Sequence, residues 1–298
     1  MRVFVTGASG HIGSPVVSEL LASGHEVVGL ARSDESAAAV AALGAEVQRG
    51  DLDDLDGLRR AAAGADGVIH LAFKHDLMLG GQYMDAVADD LAVVEALGEA
   101  IAGTGKAFVG TSGTLMVAGL GRDGTEADVL PSGPRVDAEN LVVGLADRGV
   151  RSSVVRVPPV THSHLDRSGF ARTLVEVARR TGVAGYPGDG SNRWPAVHTL
   201  DVAHLYCLAL EHAAAGTRWH AAADEAIPLR DIAAVIGRHL DVPTATVADD
   251  DLMDHFGFLA FPVLLDNPTS SAVTRRDLGW NPTHPGLLDD LEHGDYFG

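Results

Sequence analysis

The sequence predicts an α/β fold: a doubly wound parallel sheet with a smaller C-terminal lobe. Three observations carry that expectation. Short β-rich runs alternate with helical patterns through the first half of the 298 residues. The runs are apolar on successive residues, "VIHLA" and "SSVVRV" among them, as strands buried on both faces require. The opening "RVFVTGASGHIGSPVVSELLASGH" sets Gly7, Gly10 and Gly13 between a strand and an amphipathic helix.

In chain order, the pattern gives a strand at 2–6, a helix at 14–23, a strand at 26–31 and a third strand just before "RGDLDD". A helix at 57–63, a strand at 66–72, a helix at 86–102 and a strand at 106–111 follow, then a helix at 134–148 and a strand at 152–157. After Arg156 the text becomes turn-rich, with "PPVTHSHLDRSG" and "GYPGDGSNRWP", before helices near 200–213 and at 229–240 and a proline-punctuated tail. Residues 1–157 with about 199–221 are expected to form the sheet domain. Residues 158–198 with about 222–298 are expected to form a lobe closing over the sheet's carboxyl edge.

Composition excludes several classes. The formal charge is −19, from 41 acidic and 22 basic residues, which disfavours a broad nucleic-acid or anionic-membrane surface. Cys207 is the single cysteine, so neither an intrachain disulfide nor a cysteine cluster for metal is available, and no metal is expected. No apolar run approaches the roughly 18–20 residues that span a bilayer. The chain enters a strand at once, without a signal-like leader, so a cytoplasmic location is expected.

The glycine spacing is G-x-x-G-x-x-G. Missing side chains let the backbone turn sharply and approach a pyrophosphate, and the helix behind it offers free N–H groups. Gly7, Ser9, Gly10, His11, Ile12 and Gly13 are therefore the expected phosphate loop of a dinucleotide site. The second strand ends in Ala31-Arg32-Ser33, where an NAD-preferring site would carry an acid. Arg32 and Ser33 suit a 2′-phosphate, which favours NADP(H) over NAD(H), the alternative being an ion pair of Arg32 with Asp34 or Glu35. Asp51 and Leu52 are placed for the adenine, and Asp53, Asp54 and Asp56 read as solvated helix-entry charges. The strand end Leu71-Ala72-Phe73 comes beside the cofactor.

The glycine pattern, "GDLDD", "VIHLAF", "FVGTSGT" and "NRWPAVHTLDVA" together resemble the extended and atypical short-chain dehydrogenase/reductases, a group that includes the NAD-dependent epimerase/dehydratases. The likeness runs along nearly the whole chain. It implies a Rossmann-type domain with a small C-terminal substrate lobe. It also places Thr111, Ser112, Pro158 and Val160 at the cofactor, and suggests a homodimer through two sheet-flanking helices.

That family usually works with a Tyr-x-x-x-Lys pair, an upstream Ser or Thr, and an Asn on the preceding helix. Aligned on Glu139, the pair falls on Pro131 and Arg135 and is absent. Thr114 is the substitute hydroxyl, and the Asn position falls on Asp90. Asp90 has support from periodicity too. It shares one helical stripe with Val87, Val94, Leu97 and Ile101, whereas Asp89 points the other way, to solvent. A carboxylate facing an apolar interior must be paired, hydrogen-bonded or protonated.

Arg135 starts on the buried edge of its helix with Ala138, Val142 and Leu145. Its partner is Glu139 at i+4, or else Asp90 or the cofactor ribose. Arginine cannot serve as the acid. The proton must come from His75, His162, His164, Tyr83 or Thr114, and His162 is expected nearest the chemistry because "PPV" matches the family's loop beside the nicotinamide.

The leading expectation is an NADPH-dependent reductase of a small carbonyl or imine compound, with Asp90, Thr114, Arg135 and His162 catalytic. The rivals are a catalytically silent NADP(H) sensor and, less favoured, a nucleotide-sugar epimerase or dehydratase.

Overall fold

The computed structural model describes every residue, Met1–Gly298. The first half is β1 (Arg2–Thr6), α1 (Gly13–Ala22), β2 (Glu26–Ala31), α2 (Asp34–Ala42), β3 (Glu46–Arg49), α3 (Leu55–Ala63), β4 (Gly67–His70), α4 (His75–Leu79), α5 (Tyr83–Ile101), β5 (Ala107–Gly113), α6 (Val136–Gly144) and β6 (Arg151–Val157). The second half is β7 (Val160–His162), α7 (Phe170–Thr181), β8 (Ala184–Pro187), β9 (Arg193–His198), α8 (Thr199–His212), β10 (Thr217–His220), β11 (Asp224–Pro228), α9 (Leu229–Leu240), β12 (Thr244–Val247), α10 (Leu252–Phe256), α11 (Ala272–Leu278) and α12 (Leu287–His293).

The central sheet runs β3-β2-β1-β4-β5-β6-β10, parallel throughout. Alternate residues of each strand feed opposite cores, which explains the unbroken apolar runs. Val3, Val5, Ile69 and Val109 join α1 and α8 on one face. Phe4, Val68 and Phe108 join α3, α5 and α6 on the other. Strand order reverses between β1 and β4, and such a switch point opens a crevice at the carboxyl ends of the strands.

Three details depart from the sequence reading. Helix α2 has an Ala-rich, weakly patterned sequence and is held instead by a Ser33–Ser36 capping box. Helix α6 begins only at Val136, because Arg135 takes a left-handed conformation (φ 65°) as its N-cap. The turn-rich segment hides β7, β8 and β9, too short to show a period.

The lobe has its own core, built on α7, α9 and α12 with Trp194, Phe256 and Tyr296. Its expected boundary is crossed near the tail. Leu278 and Trp280 pack into the α1/α8 core of the sheet domain, and Trp280 Nε1 donates to the Asp201 carbonyl at 2.9 Å.

Candidate active site

The crevice begins where β1 ends. Gly7 has φ 71°, and a Cβ there would meet the Ala72 nitrogen at 2.9 Å. A Cβ on Gly13 would lie 1.9 Å from the Gly7 carbonyl oxygen, so only glycine lets α1 start this close to the loop. The α1 N-cap, Ile12, supplies no side-chain cap. Ser14 N–H is taken by the Gly10 carbonyl at 2.9 Å and Pro15 has none, so Gly13 N–H is the first-turn donor left behind the glycine turn for a phosphate group. Ser9 and Gly10 are exposed along this loop, and Ile12 is half-buried. His11 turns away, its Nε2 2.8 Å from Thr199 Oγ1.

At the tip of β2, Arg32 is exposed and reaches across to Asp76 on α4 at 3.0 Å, rather than to Asp34 or Glu35. Asp34 is taken by Arg49. The Ser33 hydroxyl accepts from Ser36 N as a helix cap, so it is committed to α2. Asp51 Oδ1 accepts from the amides of Asp53 and Asp54, a turn that sets the entry to α3, and Leu52 packs against the α3/α5 core. Asp53 is not simply solvated: Lys74 Nζ donates to it and to Asp89, each at 2.6 Å.

A polar chain runs from β1 to α6. Thr6 Oγ1 accepts from the amides of Leu71 and Ala72, each at 3.2 Å. Its hydrogen is therefore directed to His70 Nδ1, 2.7 Å away. That fixes the tautomer, so His70 Nε2–H donates to Asp90 Oδ1 at 3.2 Å. Asp90 Oδ2 accepts from Arg135 NH1 at 3.0 Å, and Arg135 NH2 donates to the Thr111 carbonyl at 3.1 Å. The guanidinium lies over the Phe73 ring, 4.3 Å from its centroid. His70 and Asp90 are buried, and the Arg135 side chain keeps 16% exposure. Of the partners open to Arg135, the fold supplies Asp90 and not Glu139.

Tyr83, half-buried in the first turn of α5, lies within the field of this pair. Burial pushes its phenol up, Arg135 opposes that and Asp90 adds to it. His75 packs edge-on to Phe73 at 5.3 Å, and burial of its ring, reinforced by Arg135, lowers its pKa. Thr111 Oγ1 donates to the His70 carbonyl and lies 2.8 Å from the hydroxyl of fully buried Tyr206.

Five expected residues lie elsewhere. Thr114 is fully buried and accepts from Asn267 Nδ2 at 2.9 Å, tying the loop after β5 to the lobe. Ser112 is buried against Glu139 on the far side of β5. Val160 packs into the lobe core next to buried Pro158. His162 is fully buried, its Nδ1 2.8 Å from Asp290 and its ring edge-on to His198. None of these contacts reaches Asp90 or Arg135. The residues that sequence reasoning passed over are Thr6 and His70. The only trace of either was one histidine closing an otherwise apolar strand.

A family model described as "NAD dependent epimerase/dehydratase family" matches residues 3–222. The chain belongs to that family. At this level it is a nicotinamide-dependent oxidoreductase. Uncharacterized protein C2A9.02 from Schizosaccharomyces pombe is 46% identical over 299 residues, covering 100% of both chains. The 2-alkyl-3-oxoalkanoate reductase of Stenotrophomonas maltophilia is 27% identical over 249 residues, 78% of this chain and 73% of the reductase. Among solved structures, DesIV, a dTDP-glucose 4,6-dehydratase from Streptomyces venezuelae with NAD and TYD bound, superposes with a TM-score of 0.76. At 20% identity over 98% of this chain and 95% of that one, DesIV shares the fold. None of the 4 tyrosines here is followed four positions on by a lysine. No helix is long and apolar enough to cross a membrane.

Proposed function

We propose that the protein is an NADPH-dependent reductase of a small carbonyl or imine compound. The observation that carries this reading is the Asp90–Arg135 pair at the carboxyl edge of the sheet, with Tyr83 in its field. Arg135 commits NH1 and NH2 to single contacts, so N–H donors remain for a ligand.

The Gly7–Gly13 loop and the uncapped start of α1 would hold the diphosphate, Asp51 and Leu52 the adenine, and Arg135 the nicotinamide ribose. Arg32 would leave Asp76 for the 2′-phosphate. Exposed ion pairs are worth about 0–1 kcal/mol, so the exchange costs little. When bound, NADPH supplies the hydride to the carbonyl or imine carbon. Tyr83 is the group protonated at neutral pH, and its hydroxyl donates the proton to the carbonyl oxygen. The Arg135 charge, which opposes the rise of the Tyr83 phenol, would favour the phenolate left behind. Asp90, oriented by His70, fixes the guanidinium. An imine substrate already protonated in solution would need less from Tyr83. The reductase activity in the name of the Stenotrophomonas relative supports hydride transfer to a keto group over sugar epimerisation.

The test is transfer of label from 4-deuterated NADPH to products across a panel of ketones and imines. Label in a product, with turnover reduced about 100-fold or more by Tyr83→Phe, is expected. The missing Tyr-x-x-x-Lys pair favours a second reading, a silent NADP(H) sensor. Tight NADPH binding with no label transferred across the panel would favour the sensor over the reductase.

A further inference from the structure

Helices α1 and α8 run side by side. Their amino ends meet through His11 and Thr199, and their other ends carry a second cluster of polar groups. There His25 Nε2 lies 2.8 Å from Glu211 Oε1, and Cys207 Sγ lies 3.5 Å from Ser23 Oγ. One ligand atom each from His25, Cys207 and Glu211 falls within 4.8 Å of the other two. Cys207 and Glu211 are four residues apart on α8, so they share a face. The other nitrogen of His25 faces the Met1 amino group at 3.3 Å.

We propose that His25, Cys207 and Glu211 bind one zinc-type divalent ion. Sulfur, imidazole and carboxylate are together the donor set that suits Zn2+. Bonds of about 2.0–2.3 Å in tetrahedral geometry set donor atoms about 3.3–3.7 Å apart, so the 2.8 Å His25–Glu211 contact must open slightly and the sulfur, within 4.8 Å of both, must draw in by up to about 1 Å. The field favours a cation. Glu211 and its neighbour Glu19 have only histidines as partners: His25 and His212 for the first, His204 for the second. Neither carboxylate is neutralised by an arginine or lysine. In the metal-free protein burial pushes the Cys207 thiol up, with both glutamates adding. On binding, the sulfur–metal bond replaces the S–H bond, and the proton passes to solvent. The Glu211 side chain keeps 28% exposure, which leaves an entry path and a fourth position for water.

The site is independent of the reductase reading, and its test needs no substrate. The reduced, metal-free protein is titrated with Co2+, then with Zn2+ as competitor. A thiolate-to-cobalt charge-transfer band with strong visible bands is expected, and Zn2+ should abolish both. Since Cys207 is the single cysteine, the band reports on it alone. Cys207→Ser should remove the band, and Glu211→Gln, at a half-exposed position, should weaken Zn2+ binding at least about tenfold. A pale, six-coordinate cobalt spectrum in the parent protein overturns the proposal. Equal Zn2+ affinity in the parent and in the folded Glu211→Gln variant overturns it too.

Discussion

Two arginines are tied to helix α6, and they use their charge in opposite ways. Arg156, on β6, is fully buried with every nitrogen engaged. Its Nε and NH2 grip Glu139 at 2.9 and 2.5 Å, NH2 also reaches the Asp128 carbonyl at 2.7 Å, and NH1 faces His220 Nε2 at 3.2 Å. Arg218 adds a second cation to the same carboxylate at 2.7 Å. Arg135, the helix N-cap, has one carboxylate oxygen, one carbonyl and an aromatic face, and part of it stays open. It is also held at positive φ, a conformation that costs a non-glycine residue of order 1–3 kcal/mol. A saturated guanidinium can only hold the fold together. A strained guanidinium keeps N–H donors that the protein itself does not use.

That contrast can be broken by experiment. The largest effect is expected from Arg156→Met. It strips a fully buried network and leaves His220 Nε2 without a donor, and should lower stability by about 3–5 kcal/mol in urea unfolding while the rate per folded molecule holds. Arg135→Met should do the reverse, cutting turnover roughly 100–1000-fold with a smaller stability loss than Arg156→Met. Asp90→Asn with full turnover would remove that carboxylate from the mechanism.

A third expectation uses His220. Burial first, and the Arg156 charge second, push it down to about 4. Its folded pKa thus lies below the unfolded 6.5, so between these values the unfolded chain binds the extra proton. Stability is then full above pH 6.5 and falls as the pH drops towards 4. The slope should be about 1 kcal/mol per pH unit, and His220→Gln should flatten it. His198, also pushed down to about 4, adds in the same sense and remains in that variant. The smallest effect belongs to Arg32→Ala. It should narrow the difference in thermal stabilisation between NADPH and NADH by about tenfold in affinity, and equal stabilisation in the parent would count against Arg32 as a phosphate reader.

The sheet domain was legible because its signals are local. Apolar runs and three glycines specify strands, helices and a tight turn between β1 and α1 without reference to distant residues. Asp90 was legible for a related reason: helical spacing alone turns it inward while Asp89 faces out to Lys74. What escaped was partnership. Arg135 could have met Glu139 four residues on, but Arg156 comes from β6 and Arg218 from β10 to take that carboxylate, leaving Arg135 for Asp90, 45 residues away in sequence. His162 sits two residues past the expected nicotinamide loop. Register against β9 and the arrival of α12 turn it into the lobe and not the crevice.

By itself, then, the sequence determined the alternation of elements, the glycine turn after β1 and the inward face of α5, because periodicity and glycine sterics act over a few residues. Only the tertiary structure decided which buried charge pairs with which, and so which arginine keeps donors without a protein partner. Ion pairing at short range depends on where strands far apart in the chain bring their ends, and no local pattern encodes that.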